Sequence, residues 1–478
     1  MSGISLSLPL FVIGIGLMVY ARFRLRIDQF HSWAFAISLL AGFVTAGVVW
    51  RLDRLAPLAI ATRLSRRSNN ELTALAPFAI YTVLATIVFS RFWNVPTHVS
   101  IAYGELRFFV QLVNFAGMVG CTIAVSRNFW HGKAMRDFVQ IIWWITAINV
   151  FVVVYQYLVI FVPSLPQIGI SRSYYEGVQI AAFHHGDLRI FRPGALAGEP
   201  KALAAIMVLY VVTWSAGVNF GNRGLIGPTS SKRLAAAATI VILLTFSTTA
   251  LVTLTLALLG VRVANIGGEG SITVRSKRRL ILISLFILLA LLSVVLWNPS
   301  GISIDLLNDR YVKRLTAFSS NHTGIDQLSL LVWSESLFRI IFGTGLGGIS
   351  FDLMPYIDAR WTLAYAPNIG SIAMLCDVGL LGLCLLLFPI IRLVLRSRHM
   401  QRLRPDPLRQ TTRSIGLCLC ILWLVGSGPS LGLAVGLGLL ASSASRFGFV
   451  NSTISRRAYV GTQTLVKSYN SRALHKSE

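Results

Sequence analysis

The chain has 478 residues, of which 13% are charged and 55% are hydrophobic, and its mean hydropathy is +0.68. Soluble domains carry about 25% charged residues, which form their polar surface. The composition therefore excludes an ordinary soluble protein and predicts an integral membrane protein. Lysine and arginine number 43 against 18 aspartates and glutamates, a formal net charge of +25. The five cysteines show no CxxC spacing, which disfavours a disulfide framework or a zinc site.

Twelve apolar runs are candidate membrane-spanning helices, because a bilayer core of about 30 Å needs about 20 apolar residues. They are 5–20, 32–50, 74–90, 108–126, 138–162, 202–219, 234–246, 249–264, 280–297, 368–391, 414–425 and 430–445. Run 5–20 is expected to be a retained span, since no basic segment precedes it and no clear cleavage site follows. The pairs 234–246/249–264 and 414–425/430–445 are each interpreted as a hairpin of short spans or as one longer helix.

Basic segments between the runs predict the orientation, because lysine and arginine concentrate in cytoplasmic loops. With twelve spans, all six of these segments fall on the side of the N-terminus, so both termini are predicted to be cytoplasmic. The six are 51–73, 127–137, 220–233, 265–279, 392–413 and the residues after 446. Segment 21–31 disagrees, because its arginines fall on the outer side. Either these arginines lie at the outer headgroups or the first span is misassigned.

Two long segments, 163–201 and 298–367, fall on the outer side and hold half of the 18 carboxylates. The positive charge is therefore mainly cytoplasmic, in short clusters without the aromatic interleaving of a nucleic-acid site. This pattern excludes nucleic acid as a partner. The predicted organisation is N-terminal spans 1–162, a first outer loop 163–201, central spans 202–297, a large outer loop 298–367, C-terminal spans 368–445 and a basic cytoplasmic tail 446–478.

The first outer loop ends in Arg192-Pro-Gly-Ala-Leu-Ala-Gly-Glu199-Pro200-Lys201. Pro200 and Glu199 suit an ordinary helix start, where a carboxylate complements the macrodipole. The same residues also suit a binding site at the membrane boundary, in which Arg192 and Lys201 hold an anionic group and Glu199 accepts a proton. Both interpretations stay open at the level of sequence.

The large outer loop contains Asp309-Arg310-Tyr-Val-Lys-Arg314, followed by His322 and Asp326. Guanidinium groups match phosphate oxygens in pairs, so Arg310 and Arg314 are candidates for a pyrophosphate clamp. The alternative is the solvated face of a loop helix.

A glycine-rich stretch, Phe-Gly-Thr-Gly-Leu-Gly-Gly over 342–348, satisfies G-x-G-x-x-G. It lacks a surrounding βαβ unit and the acidic residue expected about 20 positions later, which excludes a dinucleotide site. A tight backbone turn is predicted instead. His184-His185 has no third convincing ligand, so a metal site is not predicted there.

The order of these elements resembles the Wzy-type O-antigen polymerase and O-antigen ligase superfamily. The resemblance covers about residues 190–392. It lies in Arg192-Pro-Gly before Glu-Pro, then Phe-Ser-Thr-Thr-Ala at 246–250, the glycine-rich stretch, Ala-Pro-Asn-Ile-Gly at 366–370 and Asp-Val-Gly-Leu-Leu-Gly at 377–382.

Membership would imply an all-α polytopic membrane protein of about 12 transmembrane helices with a large periplasmic loop, similar to GT-C type glycosyltransferases. Such proteins transfer a glycan from an undecaprenyl-pyrophosphate donor to a sugar hydroxyl at the outer face of the bacterial inner membrane, without metal or cofactor. A chain-length regulator and a repeat-unit flippase are the further partners that the resemblance implies.

The resemblance also implies roles for single residues. Arg192 matches the family's first pyrophosphate-binding arginine, and Arg310 or Arg314 falls where another is expected. The family's His-Asn is replaced by Pro-Asn368, which argues against a ligase because ligases use that histidine as a base. The arginine expected ahead of Trp333 is also missing. The catalytic base therefore stays unassigned among Glu199, His322 and Asp326.

The expected function is a polymerase of lipid-linked repeat units in O-antigen, capsule or exopolysaccharide synthesis. The alternatives are an O-antigen ligase acting on lipid A-core and a twelve-span transporter or flippase. A transporter is disfavoured because the apolar runs contain almost no charge apart from Asp377, and the large outer loop breaks a two-halves symmetry.

Overall fold

The computed structural model of the protein is built almost entirely from α-helices. It describes residues 72–92, 101–128, 132–162, 164–165, 182–185, 188–195, 200–219, 229–245, 247–264, 325–353, 369–403, 406–425 and 430–445. The predicted spans 5–20, 32–50 and 280–297 and the basic tail 446–478 lie outside these residues.

The helices follow the apolar runs of the sequence. They are α1 (Ala76–Phe89), α2 (Ile101–Asn128), α3 (Gly132–Phe161), α4 (Pro200–Asn219), α5 (Thr229–Leu244), α6 (Thr248–Ala264), α7 (Ile325–Ser334), α8 (Leu337–Phe342), α9 (Ile349–Asp352), α10 (Gly370–Leu403), α11 (Pro407–Val425) and α12 (Ser430–Ala444). Short 3₁₀ turns flank α1 at Thr73–Leu75 and Ser90–Phe92. One antiparallel hairpin, β1 (Ala182–His185) and β2 (Leu188–Phe191), adds a small sheet to the predicted helical fold.

Three of these helices contain stretches that are long and apolar enough to cross a membrane: Phe138–Val159, Pro200–Gly217 and Gly370–Leu403. Their outward faces are apolar as well. Phe151 in α3 and Phe388 in α10 are apolar residues, yet 71% and 62% of their surface is exposed. A soluble protein rarely exposes such faces on several neighbouring helices, whereas lipid tails would cover them. The structure thus supports the predicted membrane character.

The structure decides between the two interpretations of each short pair of spans. Helices α5 and α6 are separate, since α5 ends at Leu244 and α6 begins at Thr248, and both pack on α4. Helices α11 and α12 are also separate and run antiparallel. Their backbones approach closely at Gly416 and Gly436, where an added Cβ on Gly416 would lie 2.9 Å from the carbonyl oxygen of Gly436. Small residues permit such close packing.

Two apolar cores hold the bundle together. The first joins α3, α4, α5, α6 and α11 around Met207, Val208 and Leu203, which are fully buried. The second joins α1, α2, α10 and α12 around Val378, Leu386 and Leu440. Helix α11 contributes to both cores, because Ile415 and Cys420 face opposite sides. This helix therefore connects the two halves of the described bundle.

Residues 325–353 of the predicted large outer loop form α7, α8, α9 and the segment between α8 and α9. A third, smaller core packs it against the start of α10 through Val332, Ile349 and Ile372. Helix α10 differs from its predicted bounds of 368–391, since it continues to Leu403. The predicted cytoplasmic segment 392–413 is consequently helical over most of its length.

Candidate functional site

The glycine-rich stretch forms the predicted turn, and we name residues 343–348 the glycine turn. Gly343, Gly345 and Gly347 have φ of 81°, 83° and 75°, which L-residues with a side chain rarely adopt. The turn reverses the chain between α8 and α9 and lies directly on α10. It is held there by the amide of Thr344, which donates to the carbonyl of Cys376 at 2.9 Å, and by the amide of Gly345, which donates to that of Asp377 at 2.8 Å.

Helix α10 is interrupted where the glycine turn meets it. Gly379 has φ 66° and ψ −173°, so its carbonyl and amide leave the helical hydrogen-bond pattern. A Cβ on Gly379 would lie 2.6 Å from the amide nitrogen of Gly343, closer than real Cβ atoms come to other atoms. A Cβ on Gly343 would collide with the carbonyl of Asp377 in the same way. Because Gly343 and Gly379 have no side chains, the backbones of the glycine turn and of α10 can be in direct contact.

Helix α1 fixes this junction from a third side. The hydroxyl of Tyr81 lies 3.0 Å from the carbonyl oxygen of Phe342 and 3.1 Å from that of Val378, one at the end of α8 and one at the break in α10. The hydroxyl of Thr86 accepts a hydrogen bond from the amide of Leu346 at 3.1 Å. Backbone carbonyls at helix ends lack a helical hydrogen-bond donor. Side chains of α1 therefore provide hydrogen-bond partners for backbone groups at the break in α10 and in the glycine turn.

Asp377 is the ionisable residue of this junction. Its Oδ1 accepts a hydrogen bond from the amide of Gly347 at 3.0 Å, while its backbone carbonyl accepts one from Gly345. The side chain is half-buried. The sequence had marked Asp377 as a rare charge within the apolar runs, and the structure explains it as the residue that orients the glycine turn.

Asp326, one of the predicted catalytic residues, lies in the first turn of α7. Its Oδ1 accepts a hydrogen bond from the amide of Ile369 at 3.2 Å, directly before α10. An amide at a helix start has no helical acceptor, so this carboxylate caps α10 from a distant part of the chain.

An ion-pair group that the sequence did not predict links α8 to α9. Arg339 in α8 reaches Glu335 and Asp352, with nitrogen–oxygen distances of 3.4 Å in both pairs. Its Nη1 also donates to the carbonyl of Val332 at 3.2 Å. Burial raises the pKa of the Asp352 carboxyl above its ordinary value, and the positive charge of Arg339 opposes that shift. The i,i+4 spacing of Glu335 and Arg339 was visible in the sequence, whereas the pair with Asp352 was not.

Arg192 has a defined place between the β-hairpin and α4. Its Nε donates to the carbonyl of Thr245 at 2.9 Å, at the turn between α5 and α6. The nearby Ala195 has φ 43°, and its amide donates to Oε1 of Gln156 in α3 at 3.1 Å. The half-buried Arg192 thus joins the Arg-Pro-Gly element to Thr245, which is 53 residues away in sequence and directly precedes the Phe-Ser-Thr-Thr-Ala element.

The remaining predicted residues divide into two groups. Lys201 is half-buried in the first turn of α4, as the sequence places it. The others lie outside the described residues, so their predicted roles stay predictions: Glu199, His322, Arg310, Arg314 and Asn368. Over the described part of the chain, no three histidine, cysteine, aspartate or glutamate residues come together as metal ligands would.

Comparison with known proteins adds no assignment. A scan against models of protein families finds no match, and a search of curated proteins finds no significantly similar sequence.

Proposed function

We propose that the protein polymerises oligosaccharide repeat units carried on undecaprenyl pyrophosphate, for O-antigen, capsule or exopolysaccharide, at the outer face of a bacterial inner membrane. The proposal includes a bundle of about twelve spans similar to the GT-C type, with both termini in the cytoplasm. In this arrangement the segments 163–201 and 298–367 face the periplasm, where the lipid-linked substrate is presented.

One observation carries the proposal: the glycine-rich element and the last element of the family resemblance contact each other directly, and long-range hydrogen bonds attach two further elements to residues distant in sequence. Arg192 of the first element bonds the turn that begins the second. The glycine turn of the third element packs on Asp377 and Gly379 of the last. Asp326 reaches the amide of Ile369 in the fourth. Motifs that only mimicked a family by chance would have no reason to meet across such distances in sequence.

The arrangement suits the proposed chemistry. A pyrophosphate lipid brings its own leaving group, so the protein needs cations that stabilise the charge developing on the phosphates and a base for the acceptor hydroxyl. Arg192 is held by Nε, so its guanidinium plane is fixed, and a fixed guanidinium binds phosphate oxygens with a defined geometry. Lys201, Arg310 and Arg314 would supply further positive charge. Glu199, His322 and Asp326 are the candidate bases, and Asn368 a candidate for binding the substrate.

The break in α10 supports the same function. Interrupted helices within membrane proteins are tolerated where the irregular backbone is buried in protein or lines a cavity. At Gly379 the interruption is covered by the glycine turn, and so part of the large loop is attached firmly to the bundle. A loop that is attached in this way would hold its residues at a constant depth relative to the lipid-linked substrate.

A deletion strain tests the proposed function directly. We expect single lipid-linked repeat units to accumulate and long polymer to disappear when the gene is removed, with both restored by the wild-type gene. Full-length polymer that stays on the lipid carrier would instead identify a ligase. Unchanged glycans would contradict both enzymes and favour the transporter.

The orientation can be tested with single cysteines in a background from which the native cysteines have been removed. Ser334 is exposed at the end of α7, and Arg402 is exposed near the end of α10. We expect Ser334→Cys to react with a membrane-impermeant thiol reagent in intact spheroplasts, because it lies in the proposed periplasmic loop. Arg402→Cys should react only after the membrane is permeabilised. The reverse pattern would place the proposed site on the wrong side of the membrane.

A further inference from the structure

Helix α10 is longer than a bilayer core requires. Its 34 residues, Gly370–Leu403, extend over about 51 Å at 1.5 Å per residue, whereas a hydrocarbon core is about 30 Å thick. The first arginine of the helix is Arg392, and the residues before it carry no charge apart from Asp377. When residues 370–391 cross the core, residues 392–403 therefore lie in the headgroup layer and the water next to it, at the end of α10 away from the glycine turn.

One exposed face of α10 continues from its apolar part into these last residues. We name it the α10 stripe, and it consists of Phe388, Ile391, Arg392, Leu395, His399 and Arg402, all exposed among the residues that the structure describes. Successive members are one, three or four residues apart, which is the spacing of one side of a helix. The opposite side is buried through Leu393, Ser397 and Met400, so the stripe belongs to the outer face of the described bundle.

The α10 stripe combines apolar side chains with positive charge. Leu395 exposes 55% of its surface, and it lies between Arg392 and Arg402 on the same face. The sequence has no aspartate or glutamate from 378 to 405, and the next carboxylate, that of Asp406, accepts a hydrogen bond from the amide of Leu408 in α11. Arginines are costly within hydrocarbon, whereas at its edge their apolar stems lie along acyl chains and their charged ends reach the headgroups. The composition of the stripe therefore suits the boundary between the two.

We propose that the α10 stripe binds the headgroups of anionic phospholipids. Arg392 and Arg402 contact the lipid phosphates, and Leu395 contacts the upper part of the acyl chains. The stripe continues the exposed apolar surface at Phe388 and Ile391, so lipids that cover this surface have their headgroups beside Arg392. Guanidinium groups match phosphate oxygens in pairs, and basic residues at the end of a membrane helix attract anionic lipids. This contact is independent of the proposed polymerase function.

Fluorescence quenching on the full-length protein in nanodiscs tests the proposal. His399→Cys, in a background without the native cysteines, carries a bimane fluorophore within the α10 stripe. The nanodiscs consist of phosphatidylcholine with a small fraction of a nitroxide-labelled lipid, either phosphatidylglycerol or phosphatidylcholine. Because a nitroxide quenches only nearby fluorophores, the ratio of the two quenching strengths measures the preference for the anionic lipid at this position. We expect phosphatidylglycerol to be preferred about fivefold, and the preference to decrease at high salt.

Matched variants assign the preference to the α10 stripe. Arg392→Gln combined with Arg402→Gln should bring the ratio close to one, while lysine at both positions keeps the charge and should retain most of the preference. Arg91→Gln removes an arginine from the exposed turn after α1 and should leave the ratio unchanged. The same fluorophore on Phe151→Cys, in the apolar outer face of α3, should be quenched equally by both lipids in every variant that is inserted.

Three results would overturn the proposal. The first is a ratio close to one at His399→Cys with both arginines present. The second is a preference that survives when Arg392 and Arg402 are both replaced by glutamine. The third is quenching by neither lipid at His399→Cys while Phe151→Cys is quenched, because water or another part of the protein would then cover the α10 stripe.

Discussion

Gly379→Ala is expected to destabilise the protein strongly, because the added methyl group meets backbone atoms of α8 and of the glycine turn. The new Cβ would lie 2.6 Å from the amide nitrogen of Gly343 and would also collide with the carbonyl of Ile341. In addition, alanine would have to adopt φ 66°. Backbone strain costs about 1–3 kcal/mol and overpacking costs a similar amount, so we expect a total loss of roughly 3 kcal/mol or more.

The measurement is the Tm of the purified protein, together with its yield in the membrane. Gly120→Ala is the matched control, because Gly120 lies within α2 and a Cβ there would meet no atom within 4 Å. Alanine also favours helix over glycine, so the control should be as stable as the wild type or slightly more stable. Equal Tm values for Gly379→Ala and the wild type would contradict the close approach of the glycine turn to α10.

Arg192→Ala is expected to abolish glycan polymer while the protein accumulates normally in the membrane. The substitution removes both the proposed phosphate ligand and the hydrogen bond from Nε to Thr245. Arg192→Lys keeps the positive charge. Lysine lacks the planar guanidinium that can bond the carbonyl of Thr245 and phosphate oxygens at the same time, so we expect only a small fraction of the wild-type amount of polymer. Polymer length and amount can be compared on gels of extracted glycan.

Arg91 provides the control for charge. It is exposed in the short turn that follows α1 and is not part of the proposed site. Arg91→Ala should therefore yield polymer of normal length. Normal polymer in Arg192→Ala would reduce Arg192 to a residue that only packs the start of α4. A loss of membrane-inserted protein in Arg192→Ala would instead assign it a structural role at the turn between α5 and α6.

The sequence predicted those features that follow from hydropathy and local chain geometry. The apolar run 202–219 matches α4 within two residues, because a long uncharged run has few alternatives to a membrane helix. The glycine turn was predicted as a turn, since glycines at such spacing permit positive φ. The choice of α5 and α6 as separate helices needed the structure, because it depends on both packing against α4.

Other features depend on contacts between distant residues, which a single sequence does not show. Run 368–391 was predicted as one uninterrupted span, and nothing local marks Gly379 as a break. The conformation of Gly379 follows from its close contact with Gly343 and from the hydroxyl of Tyr81, which lies within hydrogen-bond distance of the carbonyls of Phe342 and Val378. These two residues are 261 and 297 positions away from Tyr81 in the sequence. Likewise, Arg409 and Arg413 belong to the basic segment 392–413, which was predicted as a cytoplasmic connection between spans, whereas packing of α11 against α10 and α12 buries both residues.

The role of Asp326 was predicted from residue type alone, and the structure adds its contact with the amide of Ile369. That contact is consistent with positioning the start of α10, and it leaves the choice among Glu199, His322 and Asp326 as a question of chemistry. The ion pair of Arg339 with Asp352 lies in the same ordered part of the loop. Its discovery required the fold, because the two residues belong to different short helices.

The most direct test of the central claim is synthesis by the purified protein in liposomes. The substrate is a single repeat unit on undecaprenyl pyrophosphate, from the strain that carries the gene, and the products are separated by size. We predict a ladder of lipid-linked polymers from the wild type, with release of undecaprenyl pyrophosphate, and no ladder from Arg192→Ala. A wild-type protein that is folded and correctly inserted, yet leaves the single repeat units unchanged, would contradict the proposed polymerase.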